Sequence, residues 1–217
     1  MSEIYPSLLS IPENEIEKYV KQLEPVCPGF HMDVMDSVFV PNTGISIEKI
    51  NTVSKITYRP LWIHLMVEHP EFYLDELQMP PDSIVTFHTE SKKDFSGTIT
   101  KIIEKKWLPG IAIKPKTGIN EVFPFLEVLY QVLIMSVEPG LSGQVFLEET
   151  LAKVEPLLGY RQTRHLNFKI AMDGGINASN IATIAQKGVD QLAVGSTIFD
   201  AKVGALKAYH LLNQLIN

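Results

Sequence analysis

The sequence predicts an α/β protein folded as a (β/α)8 TIM barrel, in a single domain that covers residues 1–217. Short apolar runs rich in β-branched and aromatic residues alternate with longer stretches of helical period along the whole chain. There are eight such runs, and they start about 22 to 30 residues apart except for one longer interval, which suits the smaller barrels of this class. A doubly wound open sheet is the alternative, but it usually has fewer strands in a chain of this length.

The eight strands are predicted from apolar runs of four to eight residues. They are placed at Ile4–Leu9, Phe30–Met35, Leu61–Met66, Ser83–His88, Gly110–Lys114, Gln131–Val137, Phe168–Met172 and Gln191–Gly195. The long interval after the sixth strand begins with SVEPGLSGQVF, whose glycines and serines are typical of a loop that covers a barrel active site.

Helices are predicted between the strands from apolar residues at helical spacing. In ENEIEKYVKQLEPV, the residues at this spacing are Ile16, Tyr19, Val20 and Leu23. In SNIATIAQKG, Ser179 is the expected N-cap and Gly188 the expected stop. The segment GALKAYHLLNQLI is predicted to form the last helix.

Composition limits the classes of partner and the compartment. With 45% hydrophobic and 20% charged residues, the chain is typical of a globular protein. A net charge of −6 argues against a nucleic acid or an anionic membrane as partner, although a small anionic substrate needs only local donors. The single cysteine, Cys27, together with the lack of a signal-peptide pattern or a long apolar run, predicts a soluble cytoplasmic protein.

Ionisable residues interrupt the apolar strands near their carboxyl ends, where barrel active sites form. His31 and Asp33 share one face of the second strand, His64 has the comparable position on the third, and Asp173 follows the seventh. A lone histidine on an apolar strand is more often a core residue, but four such residues at one mouth favour a divalent cation that compensates the buried charge. Two imidazoles and two carboxylates suit Zn²⁺ first, with Fe²⁺, Mn²⁺ or Co²⁺ as alternatives.

Two neighbouring polar residues are given supporting roles. Asp36 lies three residues after Asp33 and would face away from it, so a turn or cap is expected. His88, near the end of the fourth strand, is expected to support the ligands rather than to bind the cation.

Glycine pairs follow the last two strands, in the loops where barrels commonly bind phosphate through backbone N–H groups. MDGGIN supplies Gly174 and Gly175, and AVGSTIF supplies Gly195 and Ser196. Glycine lets the backbone approach an anion closely, so these loops predict a phosphate site.

These motifs, taken together, resemble the ribulose-phosphate 3-epimerase family over essentially the whole chain. They are, in order, PSLLS, HMDVMD, FVPN, HLMVEHP, TFHTE, SVEPGLSGQVF, MDGGIN and VGSTIF. The resemblance implies a barrel of the ribulose-phosphate binding type and a metal-dependent isomerase of the pentose phosphate pathway. Such an enzyme inverts C3 of a phosphorylated ketose, converting D-ribulose 5-phosphate to D-xylulose 5-phosphate.

The resemblance also assigns roles to individual residues. His31, Asp33, His64 and Asp173 correspond to the metal ligands, and the two aspartates to the catalytic acid and base. Strands two and seven are three steps apart around an eight-stranded ring, so the two aspartates can flank a ligand across the mouth. The implied substrate contacts are Ser7, His64, Gly140, Leu141, Ser142, Gly143, Gly174, Gly175, Gly195 and Ser196, and the methionines that line the site are Met35, Met66 and Met135.

Three departures from the family pattern bear on the substrate. Serines stand at 37 and 142, where the family usually has glycine, and the segment Thr43-Gly44-Ile45 is rearranged. The changed loops near Ser37 and Ser142 leave as one alternative a 3-epimerase of a six-carbon ketose phosphate of the allulose 6-phosphate type. A second alternative is a catalytically idle sugar-phosphate binding protein, which the retention of both aspartates disfavours. A phosphate-binding barrel decarboxylase is disfavoured because Asp33-Val34-Met35-Asp36 lacks the lysine of Asp-x-Lys-x-x-Asp.

A homo-oligomer is expected, since barrels of this size often associate through exposed helix faces.

Overall fold

A computed structural model describes residues 1–91, 94–141 and 143–216. Within these ranges, eight parallel strands form one sheet in the order β1-β8-β7-β6-β5-β4-β3-β2. They are β1 (Glu3–Pro6), β2 (Phe30–Met35), β3 (Leu61–Met66), β4 (Ile84–His88), β5 (Leu108–Ile113), β6 (Gln131–Met135), β7 (Lys169–Asp173) and β8 (Gln191–Val194). A parallel bridge between Ser7 and His31 joins the two remaining edges. The predicted barrel is therefore confirmed, and its seam closes beside the predicted metal site.

The helices surround the barrel, and they are named in chain order. They are α1 (Ile16–Leu23), α2 (Ile47–Ile56), α3 (Pro70–Tyr73), α4 (Phe95–Glu104), α5 (Val154–Thr163), α6 (Ile181–Gln186), α7 (Ser196–Phe199) and α8 (Ala205–Ile216). Between β5 and β6 the chain instead forms two 3₁₀ helices, Ile119–Glu121 and Phe123–Phe125. Gly118 precedes the first of these helices, and the second contains Pro124, which has no N–H to donate to a longer helix.

Several predicted element ends differ from the structure: strands four to eight differ by one or two residues at one or both ends, and the first strand and one helix cap differ more informatively. The first strand stops at Pro6, because Leu8–Ser10 form a 3₁₀ helix that contacts β2 and buries Leu8 in the apolar core. The N-cap of α6 is Asn180 rather than Ser179. The backbone N–H and hydroxyl of Ser179 both donate to Asn177 Oδ1, so this serine completes a turn before the helix. Gly188 does end α6, with φ of 94°.

The apolar core has two layers because both faces of each strand are buried. The outer layer fills the space between strands and helices, whereas the barrel interior holds a smaller cluster that includes Tyr5, Trp62 and Leu133. No helix in the described part of the chain is both long and apolar enough to cross a bilayer.

A belt of polar side chains crosses the barrel interior, and two of its members, Gln131 and Gln191, are the first residues of β6 and β8. Trp62 Nε1 donates to Thr86 Oγ1 at 3.0 Å, and this hydroxyl donates to Gln131 Oε1 at 2.7 Å. Gln131 Nε2 donates to Gln191 Oε1 at 2.8 Å, and Gln191 Nε2 donates to the hydroxyl of Tyr5 at 3.2 Å. Buried polar groups are costly when unpaired, so these side chains are held in one arrangement by their hydrogen bonds. We call this belt the polar floor of the site.

Candidate active site and metal centre

The four residues predicted as metal ligands meet at the carboxyl ends of three strands. Strand register places Asp33 of β2 directly beside His64 of β3, and His31 lies two residues earlier on β2. Asp33 Oδ1 is 3.1 Å from both His31 Nε2 and His64 Nδ1. From β7, Asp173 Oδ2 lies 3.5 Å from His31 Nε2 and 3.6 Å from His64 Nδ1. One imidazole pair thus faces two carboxylates that come from different sides of the ring.

Burial and mutual charge perturb all four groups. Burial opposes protonation of His31, yet the Asp33 and Asp173 carboxylates raise the pKa of His31 to about 10. Burial also opposes protonation of His64, but hydrogen bonds to Asp173 and Asp33 raise its pKa as well. Although burial alone would raise the pKa of each carboxyl, the adjacent His31 lowers the pKa of both Asp33 and Asp173. The cluster therefore strongly favours positive charge between its carboxylates.

This donor set fits a divalent cation. One ligand atom from each of His31, Asp33, His64 and Asp173 lies within 4.8 Å of the others. Two imidazole nitrogens and two carboxylate oxygens are the ligands that Zn²⁺ and neighbouring first-row metals accept. Three of these side chains are buried, and such a concentration of acid in the interior requires a compensating cation or protons.

His88 and Glu90 lie behind the ligands. His64 Nε2 is 2.9 Å from His88 Nε2, and His88 Nδ1 is 3.0 Å from Glu90 Oε2. Burial lowers the pKa of His88 to about 4. Burial would raise the pKa of Glu90, but contacts with His88, Thr117 and the backbone N–H of Lys114 together outweigh burial and lower that pKa to about 2. His88 is thus in contact with a ligand, in the position expected of a supporting residue.

A cavity of about 220 Å³ opens over the cluster at the mouth of the barrel. Asp33 and Asp173 reach its surface, whereas His31 and His64 are fully buried. Ser7 also lines the cavity, and its hydroxyl donates to Asp33 Oδ2 at 3.2 Å. The three predicted methionines line its wall: Met35, Met66 and Met135.

The two glycine loops form another side of the same cavity, to which Gly174, Gly175, Gly195 and Ser196 contribute. Gly174 and Gly175 have φ of 117° and 65°, values that residues other than glycine rarely adopt. A Cβ on Gly175 would also collide with the backbone N of Phe146. The loop after β7 therefore needs glycine for its conformation and for its packing against the loop after β6.

The loop after β6 covers the cavity, and Gly140, Leu141 and Gly143 line it. Asn42, in the loop after β2, donates to Gly140 O at 2.7 Å and so links two loops at the mouth. The predicted substrate contact at Ser142 lies outside the described residues.

The residues after Asp33 form a turn. Asp36 Oδ1 accepts from the backbone N–H groups of Val38 and Phe39, and Oδ2 accepts from that of Glu68. Asp36 thus has the turn role predicted for it. Ser37 has φ of 61°, so it keeps the left-handed conformation that favours the glycine usual in the family.

Polar residues that the sequence reasoning did not select also line the cavity. They are Ser10, Gln144, Asn177 and Thr197. All four lie within motifs quoted above, namely PSLLS, SVEPGLSGQVF, MDGGIN and VGSTIF, so those motifs were a signal for each of them. Gln144 donates to the carbonyls of Glu138 and Leu141, a contact within its own loop that spacing does not reveal.

Comparisons with known proteins identify the family. The Ribulose-phosphate 3 epimerase family matches residues 3–199. The ribulose-phosphate 3-epimerase of Schizosaccharomyces pombe is 34% identical over 205 residues, covering 93% of this chain and 88% of the relative. The cytoplasmic isoform from Oryza sativa subsp. japonica is 38% identical over 175 residues, covering 79% and 75%.

Solved structures share the fold at much lower identity. A structure of KGPDC from Streptococcus mutans has a TM-score of 0.72 at 12% identity and covers 99% of this chain and 97% of its own. The 3-hexulose-6-phosphate synthase from Salmonella typhimurium has a TM-score of 0.70 at 14% identity, covering 99% and 98%. These likenesses show the barrel alone, while the family match and the curated relatives concern the activity. This chain therefore belongs to the ribulose-phosphate 3-epimerase family and is an epimerase, an enzyme of the isomerase class.

Proposed function

We propose that this protein interconverts D-ribulose 5-phosphate and D-xylulose 5-phosphate, a reaction of the pentose phosphate pathway, by inverting C3. The single observation that carries the proposal is the convergence of Asp33 and Asp173, from strands three steps apart, on one imidazole pair at the floor of a cavity. The relatives named as ribulose-phosphate 3-epimerases support the five-carbon substrate over the six-carbon alternative.

Epimerisation next to a carbonyl removes the C3 proton from one face and returns a proton to the other. Two carboxyl groups suit this reaction if one is ionised while the other is protonated. Asp33 uses Oδ1 toward the imidazoles and accepts from Ser7 through Oδ2, and Asp173 directs Oδ2 toward the imidazoles. We assign one aspartate to each face of the substrate, with roles that exchange when the reaction reverses.

The charge that develops on the substrate needs stabilisation. His31, Asp33, His64 and Asp173 would hold the divalent cation, with Zn²⁺ as first choice, and a cation bound there supplies Lewis-acid stabilisation of that negative charge. The two histidines contribute neutral nitrogen ligands and leave proton transfer to the aspartates.

The rest of the cavity suits the remainder of the substrate. The loops with Gly174, Gly175 and Gly195 offer backbone N–H groups for the phosphate, and Ser196 adds a hydroxyl. Met35, Met66 and Met135 form an apolar, polarisable wall that limits the access of water to the reacting carbon. A cytoplasmic location and a homo-oligomeric state stay predictions from the sequence.

A solvent-exchange assay tests the proposal. With Zn²⁺ supplied in ²H₂O, D-ribulose 5-phosphate should be converted to D-xylulose 5-phosphate with deuterium at C3. An idle binding protein would give neither product nor deuterium. A kcat/KM for allulose 6-phosphate that exceeds the value for D-ribulose 5-phosphate would favour the six-carbon alternative.

A further inference from the structure

We propose that Glu90 and His88 form a hydrogen-bond relay that places a proton on Nε2 of His64, which leaves Nδ1 as the lone pair for a metal. This inference rests on the proposed metal-dependent function. It makes His88 and Glu90 positioning residues, because neither lies against the cavity. Glu90, His88 and His64 then act as one unit, which extends from the loop after β4 to the ligand cluster.

The relay starts at Glu90, whose two carboxylate oxygens both take part in hydrogen bonds. Glu90 Oε1 accepts from the backbone N–H of Lys114 at 2.9 Å and from the hydroxyl of Thr117. The other oxygen, Oε2, lies 3.0 Å from His88 Nδ1. A carboxylate in this setting only accepts, so the proton of this last hydrogen bond belongs to His88 Nδ1.

That assignment determines the next two nitrogens. A neutral imidazole has one N–H and one lone pair, so a proton on His88 Nδ1 makes its Nε2 an acceptor. His88 Nε2 is 2.9 Å from His64 Nε2, and both rings are fully buried, so the proton between them belongs to His64. In neutral His64 the remaining nitrogen, Nδ1, then has no proton. It faces Asp33 Oδ1 at 3.1 Å and Asp173 Oδ2 at 3.6 Å.

An unprotonated nitrogen facing two carboxylate oxygens is repulsive unless a cation lies between them. With the relay in place, Nδ1 of neutral His64 can bind a metal ion but cannot donate a hydrogen bond to Asp33 or Asp173. The two ligand histidines differ in this respect. Among the described residues, His31 Nδ1 has no hydrogen-bond partner, so the relay supports one imidazole of the pair.

The tautomer itself is the first test and needs no variant. Nitrogen-15 NMR of labelled histidine, on the full chain with and without Zn²⁺, should show His88 protonated at Nδ1 alone. In the zinc-loaded protein, His64 should be protonated at Nε2. A proton on Nε2 of His88 in either sample would overturn the proposal, because that nitrogen would then donate to His64.

Zinc affinity is the second test, measured by chelator competition. Glu90→Gln keeps the side-chain shape, but its amide can donate to His88 Nδ1 and so reverse the relay. We expect its dissociation constant for Zn²⁺ to rise about 10- to 100-fold. Glu71→Gln is the matched control, because Glu71 Oε1 lies 3.2 Å from His69 Nδ1 at the same sequence spacing, in a pair outside the ligand cluster.

The control should keep its zinc affinity within about twofold, since neither His69 nor Glu71 belongs to the ligand cluster or contacts it through this hydrogen bond. Equal affinities of the two variants would overturn the relay. The two proposals also fail differently. Without epimerase activity, the histidine protonation and the affinity loss in Glu90→Gln would persist, whereas a wrong relay would leave sugar-phosphate epimerisation intact.

Discussion

Replacing Asp173 with asparagine tests the two-carboxylate proposal most directly. The substitution keeps the side-chain shape and removes one of the two proposed proton-transfer groups. Asp173 is the last residue of β7 and reaches the cavity, with its side chain 16% exposed, while Oδ2 lies within 3.6 Å of both imidazoles. The amide oxygen of the new side chain could still accept a hydrogen bond, so we expect Asp173→Asn to fold.

The expected loss follows from the role assigned to the carboxylate. Proton transfer by a positioned side chain contributes about 10²- to 10⁴-fold to the rate, so epimerisation by Asp173→Asn should fall by that factor at saturating Zn²⁺. The loss should appear in kcat as well as in kcat/KM, because the proton moves in the transition state. Asp75→Asn is the control: it makes the same change at an exposed residue that pairs with Lys101 and Lys105, and it should keep full activity.

Deuterium exchange from the two epimers separates this role from metal binding. Asp33 remains in Asp173→Asn, so the variant should still exchange the C3 hydrogen of one sugar phosphate in ²H₂O while the other stays inert. NMR of each purified epimer, with bound zinc measured on the same sample, provides the test. Equal loss of exchange from both epimers with zinc still bound would refute the assignment of one aspartate to each face.

Three further predictions concern the scaffold and the charge cluster. Gln131→Leu should lower the free energy of unfolding by about 2–4 kcal/mol in urea titrations, because the buried Thr86 hydroxyl loses its acceptor and the buried Gln191 Oε1 loses its donor; a change below about 1 kcal/mol would contradict the polar floor. Gly175→Ala should raise KM for the sugar phosphate about tenfold, because left-handed backbone and contact with Phe146 force the loop to move, whereas Gly118→Ala, with open space at its Cβ, should be neutral. With chelator present, stability should be greatest between about pH 4 and 6.5. Because its pKa is raised, protonated His31 stabilises the folded state fully below pH 6.5, and this stabilisation is lost as pH rises toward about 10. Because its pKa is lowered, ionised Asp173 stabilises the folded state above pH 3.8, and this stabilisation is lost in acid. A melting temperature that stays constant from pH 6.5 to 10 would show that His31 does not contribute this way.

Much of the site was predictable because it depends on two regular geometries. Alternation along a strand puts His31 and Asp33 on one face, and parallel closure brings the carboxyl ends of all strands to one mouth. The predicted second and third strands match the structure at both ends, at Phe30–Met35 and Leu61–Met66. Both strands are fully buried, so their apolar runs and their limits coincide.

Other features depend on contacts that spacing does not encode. Leu8 is as apolar as a strand residue, but it is buried in the core from a 3₁₀ helix that follows the strand. Ser179 and Asn180 are both good N-caps, and the turn with Asn177 decides between them. In the sequence, Glu90 is one more polar residue after β4. Its role could not be predicted because its partners Lys114 and Thr117 come from the loop after β5.

The departure at Ser37 illustrates how the structure limits an inference drawn from a motif. A serine in place of the usual glycine suggested a changed loop and hence a larger sugar. The backbone nevertheless keeps φ of 61°, and the hydroxyl of Ser37 donates to Asn42 O at 3.3 Å. Asn42 in turn links this loop to Gly140 over the cavity. Because a left-handed conformation costs serine about 1–2 kcal/mol relative to glycine, we expect the substitution to affect stability rather than cavity shape. Ser37 is also not among the described residues that line the cavity, so the serine adds no contact that would select a longer sugar.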